Sequence, residues 1–489
     1  MATIHIGDQG ELAAITNGND YILDNDILLD GTWATLPPLT DVTLDGQGHT
    51  LSNLTAPLFS RIRVSTVQNL NLIANINESG SNVGALAENL YDNTTIENNS
   101  VSGQVRGDWS VGGLIGQADG TNIVVQGNTN CALVNGESVI GGIIGVMAYY
   151  SDIAVNGNKN YGAVTGDNVV GGIVGYAYTN DGGTGSKIQQ NENHAPITSN
   201  LITGGIIGLA QSEIVSGNQN DNSVTSNKAI AGGILGNGIE KLTAEKNENS
   251  GDVSANSSDD GLSGAGGIVG VMTEITEDSV IRGNKNLCGT VTASDGGAGG
   301  IVGLTVLENS TAPITIDDNT SYATKVTASE GAQRVLGENF LNYNPQLIVL
   351  SNNTASPNTL LTGDNVSQGG LVYDDETIKS TDPNLGADKP QGLSQVCPSG
   401  EVFADCRGCV KAPPTDKFAV KFNSCNGVCI SCQTVTSGDK ATEPPTPKRC
   451  GYTFVGWFTK CDPDQYDFDT AVTADLCLYA KWERKCGCN

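Results

Sequence analysis

The chain has 489 residues, too many for one compact core, with 63 glycines and only 5% aromatic side chains, so any core must be built from short runs of valine, isoleucine and leucine. Its 53 acidic against 25 basic residues give a formal net charge of −28, which repels phosphate backbones and anionic membrane surfaces and excludes nucleic acid as a partner. No apolar run approaches the ~20 residues of a membrane-crossing helix, so no membrane insertion is expected.

The charge reads as a solubilising surface. Calcium binding is the sharper alternative, but the chain carries no EF-hand loop and no nonapeptide calcium repeat. The start, MATIHIGDQGE, shows no signal peptide, and the end, KCGCN, shows no anchor. Either the ends were removed or the protein is made without a leader.

In chain order, residues 1–50 read as an N-terminal cap. GDQGELAAIT, from Gly7 to Thr16, predicts a short helix with Asp8 at its N-cap. YILDNDILLDG and LDGQGHTLSNL alternate as strands do. Such a piece would cover the unpaired edges at the open end of a solenoid.

Residues 51–355 are a repeat. A glycine-bracketed apolar box begins at Gly112, Gly141, Gly171, Gly204, Gly232, Gly266 and Gly299, at intervals of 29, 30, 33, 28, 34 and 33 residues. Degenerate copies stand at Pro57–Ser60, Gly84 and Gln333–Gly337. Behind each box an apolar strand runs into asparagine, giving a column of Asn98, Asn128, Asn158, Asn191, Asn218, Asn247, Asn284 and Asn319, with Asn352 as an extension. A third apolar piece follows, as in ALVNG and GAVTG. Three short strands and three turns per repeat describe one coil of a parallel β-helix. The fold class is therefore all-β: a parallel β-helix of about ten ~30-residue coils, stacked ~4.8 Å apart, with a small cysteine-rich domain behind it. Glycines beside the box are expected to permit positive φ at the corners. The asparagines read as a structural amide ladder, the alternative being a row of ligand-binding amides.

Cys131 and Cys288 follow the asparagine column five coils apart, roughly 24 Å at the coil spacing and beyond disulfide reach. They are either buried thiols or partners for the tail cysteines of neighbouring molecules.

Residues 356–396, rich in Asp, Pro, Ser and Gly, read as a last irregular coil and linker. Residues 397–489 hold 11 of the 13 cysteines: Cys397, Cys406, Cys409, Cys425, Cys429, Cys432, Cys450, Cys461, Cys477, Cys486 and Cys488. Such density in a small domain favours disulfides. Cys406, Cys409, Cys429 and Cys432 also have zinc-ribbon spacing, two CxxC pairs separated by 19 residues. The odd count leaves at least one tail cysteine free or bonded outside the tail.

Catalysis finds little support. The three histidines, His5, His49 and His194, are dispersed, and GxSxG, HExxH and P-loop motifs are absent. The densest acidic pairs in the repeats, Asp259–Asp260 and Asp317–Asp318, lie in turns. The chain is expected to be no enzyme and to need no cofactor; polysaccharide cleavage by paired carboxylates is the enzymatic alternative.

Two resemblances add to this reading. LDGQGHTLSNL, PLFS and the recurring VGGLIG and IGGIIG, over residues 10–350, resemble the GLUG-type β-helix repeats of bacterial surface and secreted adhesin-like proteins. FAVKFNSCNG, GYTFVGWFTK and LYAKW, within 418–482, resemble the Listeria–Bacteroides repeat, the internalin B-repeat type of β-grasp module. The first implies a cell-surface setting, the second a spacer or adhesive module whose aromatic residues Tyr452, Phe454, Trp457 and Trp482 form a small core. Its cysteines depart from that pattern. The expected function is a non-catalytic structural subunit at a cell or spore surface, self-assembling into a disulfide-linked fibre or coat. The alternative is an adhesin or stalk that binds a surface glycan or protein.

Overall fold

The computed structural model describes residues 3–178, 186–256, 263–287, 289–307, 309–329, 331–340, 347–356 and 359–362. Beyond them it describes 401–404, 408–411, 417–423, 429–436, 439–444, 452–458, 465–470 and 476–484, with Thr446 and Val472. The chain divides into two compact units near residue 395.

The long unit is a parallel β-solenoid. The coil from Ser110 shows its plan: a three-residue strand Ser110–Gly112, a bent strand Ile115–Gln126, and a strand Thr129–Gly136. Each stacks in parallel on its counterpart one coil away. The box strands form a nine-stranded sheet in which Gly84, Gly112, Gly141, Gly171 and Gly204 are consecutive register partners.

Inward positions repeat in columns because parallel in-register pairing places identical residues on one another. Ile96, Val125, Val155, Ile188 and Val215 form such a column, all fully buried. It continues through Ala244 and Ile281 to Ile316 and Leu350. Aliphatic side chains stacked on copies of themselves make one continuous core, which explains how so few aromatics suffice.

The stack starts earlier than the repeat motif does. Strands Asp20–Leu23 and Thr43–Asp45 pair in register with Thr66–Gln68, so most of the stretch expected as a separate cap is already solenoid. On the third face the register runs from Ile27 through Leu51, Leu72 and Val101 to Asn130, and onward to Ala355, twelve levels among the described residues against the ten expected. Eleven rises of ~4.8 Å make this face roughly 53 Å long. The helix Gln9–Ala13 lays Leu12 into the core, and Asp8 caps it by accepting the Glu11 N–H at 2.9 Å.

The small unit holds an antiparallel pair, Glu401–Ala404 with Gly408–Lys411, and a four-stranded mixed sheet. In that sheet Lys417–Asn423 lies between Cys429–Thr436 and Leu476–Arg484, and Tyr452–Phe458 completes the far edge. Trp457 is fully buried among Val420, Val435, Val472 and Leu478, with Phe454 packed edge-on at 5.4 Å. The side chains of Tyr452 and Trp482 lie outside the described residues.

Candidate functional site

Four features carry polar chemistry: the asparagine columns, a buried histidine cluster, a groove along one corner of the solenoid, and the tail cysteines.

The asparagine column is a hydrogen-bonded ladder. Asn128 donates its backbone N–H and its Nδ2 to Asn158 Oδ1, both at 3.0 Å, and Nδ2 also donates to Ile96 O at 2.9 Å. Its own Oδ1 accepts the N–H and Nδ2 of Asn99. The same pattern repeats at Asn158, Asn191, Asn218, Asn247 and Asn284, and Asn319 hands on to Asn353. These amides are buried and their bonding capacity is used internally, so they do not form a ligand-binding row.

Two positions need correction. The rung that begins the ladder is Asn99, and at the far end it is Asn353; Asn98 and Asn352 stand one residue earlier, with φ of 54° and 51°. That preceding position turns left-handed in every repeat: Gly127, Gly157, Gly217 and Gly283 share it with Gln190, Lys246 and Asp318. Asparagine tolerates the left-handed conformation, and so imitates a rung in the sequence while serving as the turn.

A second ladder, not anticipated, runs beside the first. Asn130 Nδ2 donates to Asn160 Oδ1 at 2.7 Å, and the chain of bonds continues through Asn193, Asn220 and Asn249 to Asn286. Its signal was the second asparagine of NTN, NKN, NEN and NQN. This ladder also explains the box. A Cβ on Gly113, Gly172 or Gly205 would stand within 2.8 Å of the Asn130, Asn193 or Asn220 side chain. None of the box glycines has positive φ; close packing of backbone against amide requires them.

His194 directly follows the second ladder. Its Nδ1 lies 2.9 Å from Asp221 and its Nε2 2.9 Å from Glu192, and the ring stacks on Tyr161 at 4.8 Å. Lys159 reaches Glu192 from the neighbouring coil at 2.9 Å. Burial opposes charging the 7%-exposed imidazole, but hydrogen bonds and attraction from both carboxylates prevail and raise its pKa to about 9. The His194 hydrogen bond, with help from Lys159, lowers Glu192 to about 2. Burial holds the Asp221 carboxyl above its ordinary range. The cluster is thus an ion network that ties three successive coils together. His5 and His49 pair separately with Asp24 and Asp26.

Asp317 is likewise committed, to Ser351, Asn352 and Arg282, whose hydrogen bonds hold its carboxyl below the usual range. Asp259 and Asp260 lie outside the described residues.

One corner of the solenoid opens a polar groove of about 330 Å³. Arg106, Asn135, Thr165 and Thr198 form one wall, and Asp108, Glu137 and Asp167 the other. Three glycines make the floor. A Cβ on Gly107 would meet Val111, and one on Gly166 would meet Ile140, so these coils sink inward where side chains would have held the corner out. Trp109, the residue after Asp108, is 67% exposed.

In the tail, Cys409, Cys429, Cys432 and Cys477 lie in strands, and Lys421 is the register partner of both Cys432 and Cys477. Those two cysteines are therefore two strand spacings apart, roughly 9.6 Å between backbones and beyond the usual ~7 Å disulfide limit. Cys397, Cys406, Cys425, Cys450, Cys461, Cys486 and Cys488, on which the zinc and disulfide readings mostly rest, lie outside the described residues, as does Cys288. Cys131 is half-buried on the third face, level with Ser102. Among the described residues no group of three or more His, Cys, Asp or Glu is arranged to hold a metal ion, and no helix is long and apolar enough to cross a membrane.

Comparison with known proteins adds local similarities. Residues 39–103 match the M26 IgA1-specific metallo-endopeptidase N-terminal region. A protein of Streptococcus sanguinis described as an immunoglobulin A1 protease is 40% identical over 76 residues, 15% of this chain and 4% of that protein. Its namesake in Streptococcus pneumoniae is 38% identical over 76 residues, again 15% and 4%. A putative membrane protein of Evansella cellulosilytica is 37% identical over 68 residues, 14% of this chain and 10% of that protein. The chain thus spans a small fraction of the length of these relatives. A solved structure, a putative immunoglobulin A1 protease from Bacteroides ovatus, aligns over 77% of this chain and 81% of its own with a TM-score of 0.21 and 14% identity. Residues 418–481, inside the small unit, match the Listeria-Bacteroides repeat domain.

Proposed function

We propose that the chain is a non-catalytic structural protein of a bacterial surface, combining a rigid β-solenoid with a cysteine-rich module. One observation carries the reading: the solenoid's buried amides are bonded to one another along the axis, an arrangement that stiffens the coil stack. The membrane-protein and immunoglobulin A1 protease descriptions of the relatives support a setting at or outside the cell surface. Reading the boxes as GLUG-type repeats belongs to the same proposal. The proteolytic activity named for those relatives is not carried over, because the matched stretches are short and the chain contains no HExxH.

Self-assembly through tail cysteines is the finer form of this reading. It is tested by electrophoresis of the protein from its native source with and without reductant. Multimers that collapse on reduction are expected. A monomer in both lanes overturns covalent assembly and leaves the second reading, an adhesive stalk, which the corner groove favours.

A further inference from the structure

We propose that the corner groove binds a linear, uncharged glycan lying along the solenoid axis. The inference rests on the surface reading and names the ligand class for it.

The groove has the form of a chain-binding site. Its lining comes from five successive coils, at Arg106, Asn135, Thr165, Thr198 and Asn227, so it extends about 19 Å over four coil rises. Its chemistry repeats once per coil along that length. Carboxylates accept hydrogen bonds from hydroxyls, amides do both, and threonine hydroxyls do both, which is the inventory a row of sugar hydroxyls needs. Two of these groups are already set by neighbours: Asn135 Nδ2 donates to Thr165 Oγ1 at 2.6 Å, and Asn200 Nδ2 holds Asp167 at 2.9 Å.

Trp109 supplies the apolar partner. Its backbone carbonyl accepts the Val139 N–H at 2.7 Å, so an exposed indole stands on a bend tied to the next coil, between groove-lining Asp108 and the strand Ser110–Gly112. A flat aromatic face with a polar edge suits the C–H face of a pyranose ring.

The charge selects among glycans. Asp108, Glu137 and Asp167 against Arg106 alone disfavour uronic or sialic acid chains. A divalent cation is not the occupant, because these carboxylates stand on successive coils and do not converge as a metal-binding group.

The full-length protein would be titrated with linear hexasaccharides of the β-glucan, chitin and mannan series, and with polygalacturonate, following tryptophan fluorescence and calorimetry. Saturable binding of at least one neutral series is expected, with polygalacturonate bound far less well. Trp109→Ala should weaken binding about tenfold and abolish the fluorescence change. Thr165→Val and Asn135→Ala should weaken it less, with the thermal transition of all three variants unchanged. Binding by no neutral series, equal binding by Trp109→Ala, or preference for polygalacturonate overturns the inference. Antibody labelling of intact cells tests the surface reading separately. A labelled protein blind to glycans sinks only the groove, whereas glycan binding by a protein confined to the cell interior sinks the surface reading.

Discussion

Asn99 and Asn98 are adjacent, chemically identical and differently placed. Asn99 holds the buried Leu70 N–H at 3.0 Å and the Val67 carbonyl at 2.9 Å, and Asn98 is the left-handed turn before it. Asn99→Ala strands both partners and should destabilise the solenoid by about 2–4 kcal/mol. Asn98→Ala retains them and should cost about 1 kcal/mol of backbone strain. Hydrogen exchange at the Leu70 amide distinguishes the two, rising sharply only for Asn99→Ala. The His194 cluster gives a pH signature. His194 has its pKa raised to about 9 from 6.5, so its stabilisation is complete below pH 6.5 and is lost as pH rises through 9. Glu192 has its pKa lowered to about 2, so its contribution is complete above pH 4.5 and is lost as pH falls through 2. Raised Asp221 opposes the second effect. The His194 contribution lost between pH 6.5 and 9 is on the order of 3 kcal/mol. Denaturation midpoints should therefore fall over that interval in the native protein and stay flat in His194→Leu, which is less stable at pH 6.

At the scale of the coil, glycine does two jobs that look alike in sequence. Gly142 is a packing glycine: a Cβ would collide with the Gly172 carbonyl and stand 2.9 Å from Asn160. Gly157 is a turn glycine with φ of 61° and open space around it. Gly142→Ala should push two coils apart and cost more than about 3 kcal/mol, a loss typical of a core clash. Gly157→Asn should be nearly neutral and Gly157→Val strained by about 1–2 kcal/mol. Circular dichroism melts of the three variants check the order. Periodicity made the box visible, but its purpose depended on the second ladder beneath it. That ladder is written in each N-x-N, but one asparagine per turn already accounts for the column, and only the stacking shows that the second is also a rung.

Across the molecule, coil length varies from 27 to 37 residues between rungs while the rung bonds stay at 2.9–3.1 Å. Extra residues leave the stacked frame between strands, where lengthening a loop costs little. A glycine–serine insertion of six residues after Glu274, in the long coil between Asn247 and Asn284, should therefore leave the main melting transition unchanged. The same insertion after Asn218 should abolish it. The two compact units should also respond separately to reductant. If disulfides staple the tail, dithiothreitol should lower a minor calorimetric transition and leave the solenoid's own transition in place. A single shared transition that shifts as a whole would contradict this.

The amino-acid sequence alone determined the repeat, its three-strand coil, the parallel stacking and the C-terminal module. Each follows from local periodicity, and in a solenoid every coil contacts only its neighbours, so local pattern and fold nearly coincide. Tertiary structure decided what depends on register between distant positions. Only stacking tells Asn99 from Asn98, brings Lys159, Glu192, His194 and Asp221 from three coils into one network, and turns Gly107, Gly136 and Gly166 into the floor of a groove. Residues ~30 apart in sequence become neighbours ~4.8 Å apart once coils stack, and the chemistry between them exists only then.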